Sequence, residues 1–168
     1  MTRDAMFDGD GDPRWKLLDA AHERLEVAAS LEQIIAVVRS TARSVTSADG
    51  VTFVLRDGDK CHYVEEDAIG PLWKGQRFPM TSCISGWCML NGRTAPIPDI
   101  YADIRIPHDA YRPTFVKSLV MTPVGAAAPV AAIGAYWRDK RLFEAREIAA
   151  IETLAAAVAD AMRNAAAA

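Results

Sequence analysis

Three cysteines, a scatter of aromatic side chains and one dense cluster of charges are the parts of this 168-residue chain that could do chemistry. Cys83 and Cys88 are five apart, so on a helix they would point about 140° apart and could not close a disulfide within it. Neither has Lys, Arg or His within four residues to favour a thiolate. A helix N-terminus could still lower the pKa of Cys83, which keeps Cys83 and Cys88 as alternative catalytic thiols. The bland reading is buried structural cysteines. Combined with His62 or His108 they give no zinc spacing, so no metal site is expected.

The aromatic candidates are Trp73, Trp87, Tyr101, Tyr111, Phe115 and Tyr136. They could wall a small-molecule pocket, with tyrosine hydroxyls as polar handles. They could equally be anchors that plug the same space. Among them lie Asp99, Asp103, Arg105, His108, Asp109 and Arg112, six ionisable groups within fourteen positions. Arginine there could hold a carboxylate or phosphate. The alternative is a set of internal salt links stitching a loop that lacks regular hydrogen bonding.

These residues need a frame. From Phe78 to Pro123 the pattern reads as short helix, turn, short strand, then a long aromatic loop feeding a strand. Prolines at 107 and 113 preclude a long helix there. Before it, Arg14–Ala29 carries a narrow apolar stripe, suited to a partner helix or to its own domain. Ser30 with Gln33 fits a capping box for a helix over Leu31–Thr46. Val51–Arg56 and Lys60–Glu66 form a hairpin about Asp57-Gly58-Asp59. Alternation puts Cys61, Tyr63 and Glu65 on one face of that second strand. Gln76–Met80 is a short strand, and Thr81 or Ser82 can cap a helix over Cys83–Leu90 that Asn91-Gly92 ends. Strands follow at Thr94–Ile97, Phe115–Val124 and Val130–Arg138, then a long helix over Glu144–Arg163. This order implies antiparallel pairing by hairpins in an α+β fold.

Bulk properties exclude several classes. The net charge of −3 and the absence of a basic face argue against nucleic-acid binding. No apolar run reaches the roughly 18–20 residues of a membrane span. An odd number of cysteines without framework spacing predicts reduced thiols and a cytoplasmic setting. The division expected is a disordered tail over 1–13, a signalling or dimerisation helix over 14–29, and one domain over 30–166. In the tail, Asp8, Asp10 and Asp12 alternate as in a calcium loop, but Pro13 falls where such a loop needs glycine.

Ile84-Ser85-Gly86-Trp87 before Asn91-Gly92, Pro98-Asp99-Ile100 with Asp103, Ser118-Leu119-Val120 before Pro123, and Phe143 with Glu147 occur in an order that resembles the GAF domain, a sensory module akin to PAS. The run from Pro98 to Leu119 is similar to GAF domains of bacterial sensor histidine kinases. The resemblance implies an antiparallel sheet, helices on one face and a ligand loop on the other. It further implies a homodimer through the terminal helices and a histidine kinase or other signalling partner in a two-component system. A stand-alone sensor and a piece of a longer protein both remain open. The expected function is recognition of a small molecule under the 78–123 segment, without catalysis. Trp73, Trp87, Asp99, Tyr101, Arg105, His108, Tyr111, Phe115 and Tyr136 are its candidate contacts, and no cofactor is identified.

Family variants can be judged by what is missing. Bilin-binding members attach the chromophore through a cysteine before the Ser-Leu-Val strand, and 103–117 contains none. Only Lys140, Phe143 and Glu147 resemble the cyclic-nucleotide pattern. Members that reduce free methionine sulfoxide use a cysteine near that same strand, so Cys83 or Cys88 would have to substitute. That enzyme, and a domain that binds no ligand and only dimerises, are the alternatives.

Overall fold

The computed structural model describes residues 11–167. Asp8 and Asp10, and most of the expected tail, lie outside them. Asp12 has a defined task. Its carboxylate accepts the backbone N–H of Arg14 at 3.0 Å and grips the same residue's guanidinium at 2.9 Å. It thereby caps helix α1 (Pro13–Glu26), which opens on a proline whose missing N–H costs nothing there.

Helix α2 (Leu31–Thr46) begins at Ser30, whose hydroxyl accepts from Gln33 N at 3.2 Å. The return bond of the box lands one residue early: Gln33 Oε1 takes the N–H of Ala29 at 2.7 Å. Ser47 ends α2 in a left-handed conformation, ahead of the expected stop at Asp49-Gly50.

Six strands form one antiparallel sheet. They are β1 (Gly50–Asp57), β2 (Lys60–Ala68), β3 (Arg77–Pro79), β4 (Ala95–Ile97), β5 (Ser118–Val124) and β6 (Ala131–Trp137), in the spatial order β3-β2-β1-β6-β5-β4. Gly58, at φ 61°, makes the tight β1–β2 turn where Asp-Gly predicts it. The last strand, β6, slots beside β1 at the centre, so the sheet closes only when both ends of the domain are present.

Alternation along β2 fails at one point. Val54 pairs with Tyr63 but its neighbour Phe53 pairs with Glu65, leaving Val64 as an extra residue. Cys61 and Tyr63 keep their common face. Glu65 does not join them: it turns to the helix side and meets Arg39 of α2 at 3.3 Å.

The sheet separates two cores. On one face lie α1, α2 and α5 (Ala145–Ala167), burying Leu18, Leu25, Ile34, Val38, Ile151, Leu154 and Val158 against Phe53, Ile133 and Trp137. The narrow stripe of α1 is thus spent inside its own domain. On the other face lie α3 (Ile84–Asn91), a short 3₁₀ turn at Ile100–Ala102, the four-residue α4 (His108–Tyr111) and the loops between them. Thr81 and Ser82 do not cap α3; they belong to a 3₁₀ turn over Met80–Ser82, and Cys83 occupies the cap position.

Candidate functional site

The loop-side core is built around Tyr63 and Tyr136. Tyr63 comes from β2 and is 2% exposed; Tyr136 comes from β6 and is fully buried. The Tyr136 hydroxyl bonds that of Thr52 on β1 at 2.8 Å. Burial raises the pKa of both tyrosines, so they serve as neutral hydroxyls.

Trp73 is brought in by its loop. Glu66 accepts the backbone N–H groups of Leu72 at 3.0 Å and Lys74 at 2.7 Å, which holds the 69–75 segment against β2. The indole then stands edge-on to Tyr63 at 5.6 Å, to Tyr111 at 4.5 Å and to Tyr136 at 5.4 Å. Its N–H donates to the carbonyl of Ala110 at 3.0 Å, tying the floor loop to α4.

Residues 98–117 form the roof, and its charges hold it in shape. Asp99 accepts the N–H of Tyr101 at 3.0 Å and pairs with Lys140 at 3.2 Å on the outer surface. Asp103 clamps Arg105 at 2.7 Å, which keeps the Asp103 pKa below the usual carboxylate range. His108 Nε2 lies 3.0 Å from the carbonyl of Ile100 and 3.1 Å from that of Asp103. Asp109 pairs with Arg112 on the exposed side. The guanidinium of Arg105 also sits 4.3 Å above Trp87.

The nine candidate contacts therefore divide. Trp73, Tyr111 and Tyr136 meet at the centre. Phe115 is half-buried at the edge, beside Gly50 and Gly70. Trp87 is half-buried beneath Arg105, and Tyr101 is exposed beside His108 and Lys117. Asp99, Arg105 and His108 bind the chain's own backbone or charges, the stitching reading of that cluster. Sequence reasoning left Tyr63, Phe78 and Ser85 out of the site. The period-2 pattern of β2 contained the signal for Tyr63, which shares a face with Cys61.

The hollow expected under this roof is nearly closed. Tyr63, Trp73, Phe78, Cys83, Pro107, Ala110 and Tyr111 enclose a void of only about 10 Å³. That is room for about one water molecule. A polar thread runs along its wall: Tyr63 Oη lies 3.0 Å from Ser85 Oγ, which lies 3.4 Å from Cys83 Sγ. Cys88 is apart from this, its thiol donating to the carbonyl of Met121 at 3.4 Å and pushed up to about 12 by burial. Among the described residues, no group of His, Cys, Asp and Glu could hold a metal ion. No described helix is long and apolar enough to cross a membrane.

A sequence model of the GAF domain matches residues 28–163. The chain belongs to the GAF domain family. No curated protein matches it. Solved GAF folds superpose over nearly its whole length. One is the GAF domain of an Acinetobacter phosphoenolpyruvate-protein phosphotransferase, at TM-score 0.77 and 12% identity, covering 94% of this chain and 97% of that one. Another is the free methionine-R-sulfoxide reductase of Neisseria meningitidis in complex with its substrate, at TM-score 0.77 and 15% identity, with 95% of each chain covered. A third is the phycocyanobilin-bound GAF domain of a cyanobacterial phytochrome, at TM-score 0.74 and 15% identity, covering 92% and 96%. At such identities the likeness is one of fold.

Proposed function

We propose that this GAF domain is a cytoplasmic sensory module of signal transduction whose small-molecule site lies beneath residues 98–117. One arrangement carries the reading. An aromatic centre under an irregular roof lies on one face of the sheet, and the two terminal helices lie on the other. Adjacent residues of β6 face the two sides: Tyr136 packs under the roof and Trp137 packs against the helix layer. A ligand that displaced Trp73 or Tyr111 would press on β6 and so on α1 and α5. In a homodimer joined by those helices, a histidine kinase or another signalling partner would read the change. The ligand shifts the helices only as far as it prefers one arrangement over the other.

Native mass spectrometry of protein purified from its own host tests this. A stoichiometric small-molecule adduct on a dimer is expected, and loss of that adduct in Tyr111→Ala would place it under the roof. Repeated isolation of bare protein, with no adduct, defeats the ligand reading.

The small void favours a second reading: an interaction domain whose aromatic centre is its own plug. Bare dimer in the same experiment is its signature. A sulfoxide reductase is the third, resting on Cys83 at the void. The expected result is no turnover of free methionine sulfoxide by wild type; turnover that vanishes in Cys83→Ser would make the domain an enzyme.

A further inference from the structure

The space under the roof is filled by the chain's own indole. Trp73 is 4% exposed, and its ring meets Tyr111, Tyr136 and Tyr63 edge-on, at centroid distances of 4.5, 5.4 and 5.6 Å. Its Nε1–H donates to the carbonyl of Ala110 at 3.0 Å. The chamber therefore has a definite chemistry: three aromatic walls set for edge contacts, and one carbonyl that needs a donor. A guest without an N–H would leave that carbonyl unpaired. The void beside the ring, about 10 Å³, is far too small to admit a guest while the indole is in place.

The segment that carries the indole is held differently from the core around it. The backbone N–H groups of Leu72 and Lys74 both go to one side chain, the carboxylate of Glu66, at 3.0 and 2.7 Å. Lys74 Nζ adds an ion pair with Glu65 at 2.8 Å. At the two ends backbone is anchored to backbone. Ile69 N donates to the carbonyl of Asp49 at 2.9 Å, and Gly75 N to that of Tyr63 at 2.8 Å. Gly70 follows the first anchor, and Gly75, at φ 88°, forms the second. Pro71, Lys74 and Gly75 are exposed, so the segment has solvent to swing into. Two fixed ends, two glycines and one carboxylate latch make residues 70–75 a hinged strap with the plug in its middle.

We infer that Trp73 stands in for the ligand: the site takes a flat heteroaromatic molecule of indole size bearing one N–H donor, which replaces the Trp73 ring when Glu66 releases the strap. The inference rests on the sensory reading above and gives that reading a ligand class. At the walls the exchange costs little. One aromatic ring leaves as another arrives, and the Ala110 carbonyl trades one N–H for another. Two losses oppose it: the Glu66 bonds break, and the Trp73 ring meets water. The ligand selects the released strap over the latched one, so anything that weakens the latch tightens binding.

The test uses the full chain and two probes, indole and 1-methylindole, whose ring nitrogen carries a methyl group in place of the hydrogen. Calorimetry measures affinity, and hydrogen exchange read by mass spectrometry follows the segment 69–76. Wild type should bind indole saturably, and 1-methylindole at least about tenfold more weakly. Bound indole should speed exchange across 69–76 severalfold, because the Leu72 and Lys74 amides lose their acceptor. Glu66→Gln offers one acceptor oxygen in place of two. Gly75→Ala strains the closed backbone with a methyl that meets nothing within 4 Å. Each should bind indole about tenfold more tightly than wild type, and either serves if the other fails to fold. No saturable binding of indole to wild type at millimolar concentration, equal affinity for the two probes, or slowed exchange across 69–76 on binding would each overturn the inference. A native adduct of another chemistry removes this ligand class and leaves the sensory reading standing, whereas repeated isolation of bare protein defeats that reading itself.

Discussion

A hydroxyl pair at the middle of a sheet is a sensitive place to remove an atom. The Tyr136–Thr52 bond is fully buried on both sides. Tyr136→Phe keeps the ring but leaves the Thr52 hydroxyl short of a partner. A loss of about 1–2 kcal/mol is expected from chemical denaturation, with the fold otherwise unchanged. Asp103 makes a pH prediction. Arg105 lowers its folded pKa below the unfolded value of ~3.9. The stability it supplies is therefore complete above that value and is lost as pH falls through the folded pKa. Asp103→Asn should cost about 1 kcal/mol at neutral pH and flatten the fall in stability below about pH 4, measured by denaturation across pH. The charged cluster was visible in the sequence, but its use was not. Pattern shows that Asp99, Arg105 and His108 are near one another, whereas only the folded path shows that they face their own backbone rather than a guest.

Between elements, a close backbone approach at Gly86 fixes how α3 sits. A methyl group on Gly86 would lie 1.8 Å from the carbonyl oxygen of Met80. Backbone cannot yield as a side chain can, so Gly86→Ala should cost more than about 3 kcal/mol or prevent folding. Gly92 is a useful contrast. It ends α3 at φ 61°, and an added methyl would meet only the carbonyl oxygen of Ala126 at an ordinary contact distance of 3.8 Å, so Gly92→Ala meets backbone strain rather than a clash, about 1 kcal/mol. Comparing the two denaturation midpoints separates contact from conformation. The same scale explains what was legible. Asp-Gly marks the β1–β2 turn because few other residues accept that backbone, and apolar period marks α2 and α5. The bulge at Val64 and the 3₁₀ turn at Met80–Ser82 left no such mark, because each is set by pairing with another segment, Phe53 and Val54 for the bulge and the carbonyl of Asp59 for the turn. The same holds for the filled void, which depends on how Trp73 and Tyr111 meet.

For the whole molecule, the proposed homodimer has to fit what the helix layer leaves exposed. The buried stripe of α1, Leu18, Ala21 and Leu25, is engaged with its own domain. A dimer through the terminal helices must then use what α1 leaves outside, where Leu17 is 38% and Val27 80% exposed. Light scattering on purified protein should report two subunits, and Leu17→Glu with Val27→Glu should return a folded monomer. A dimer indifferent to both changes would move the contact away from α1. The rims of the sheet narrow the choice further. β3 and β4 are three residues long, and each carries a proline, Pro79 and Pro96, that offers no N–H. A stray strand arriving at either border finds almost nothing to template on. Crowded copies should therefore resist zipping into fibrils from their borders, and seeding with pre-formed aggregates should fail while both prolines remain.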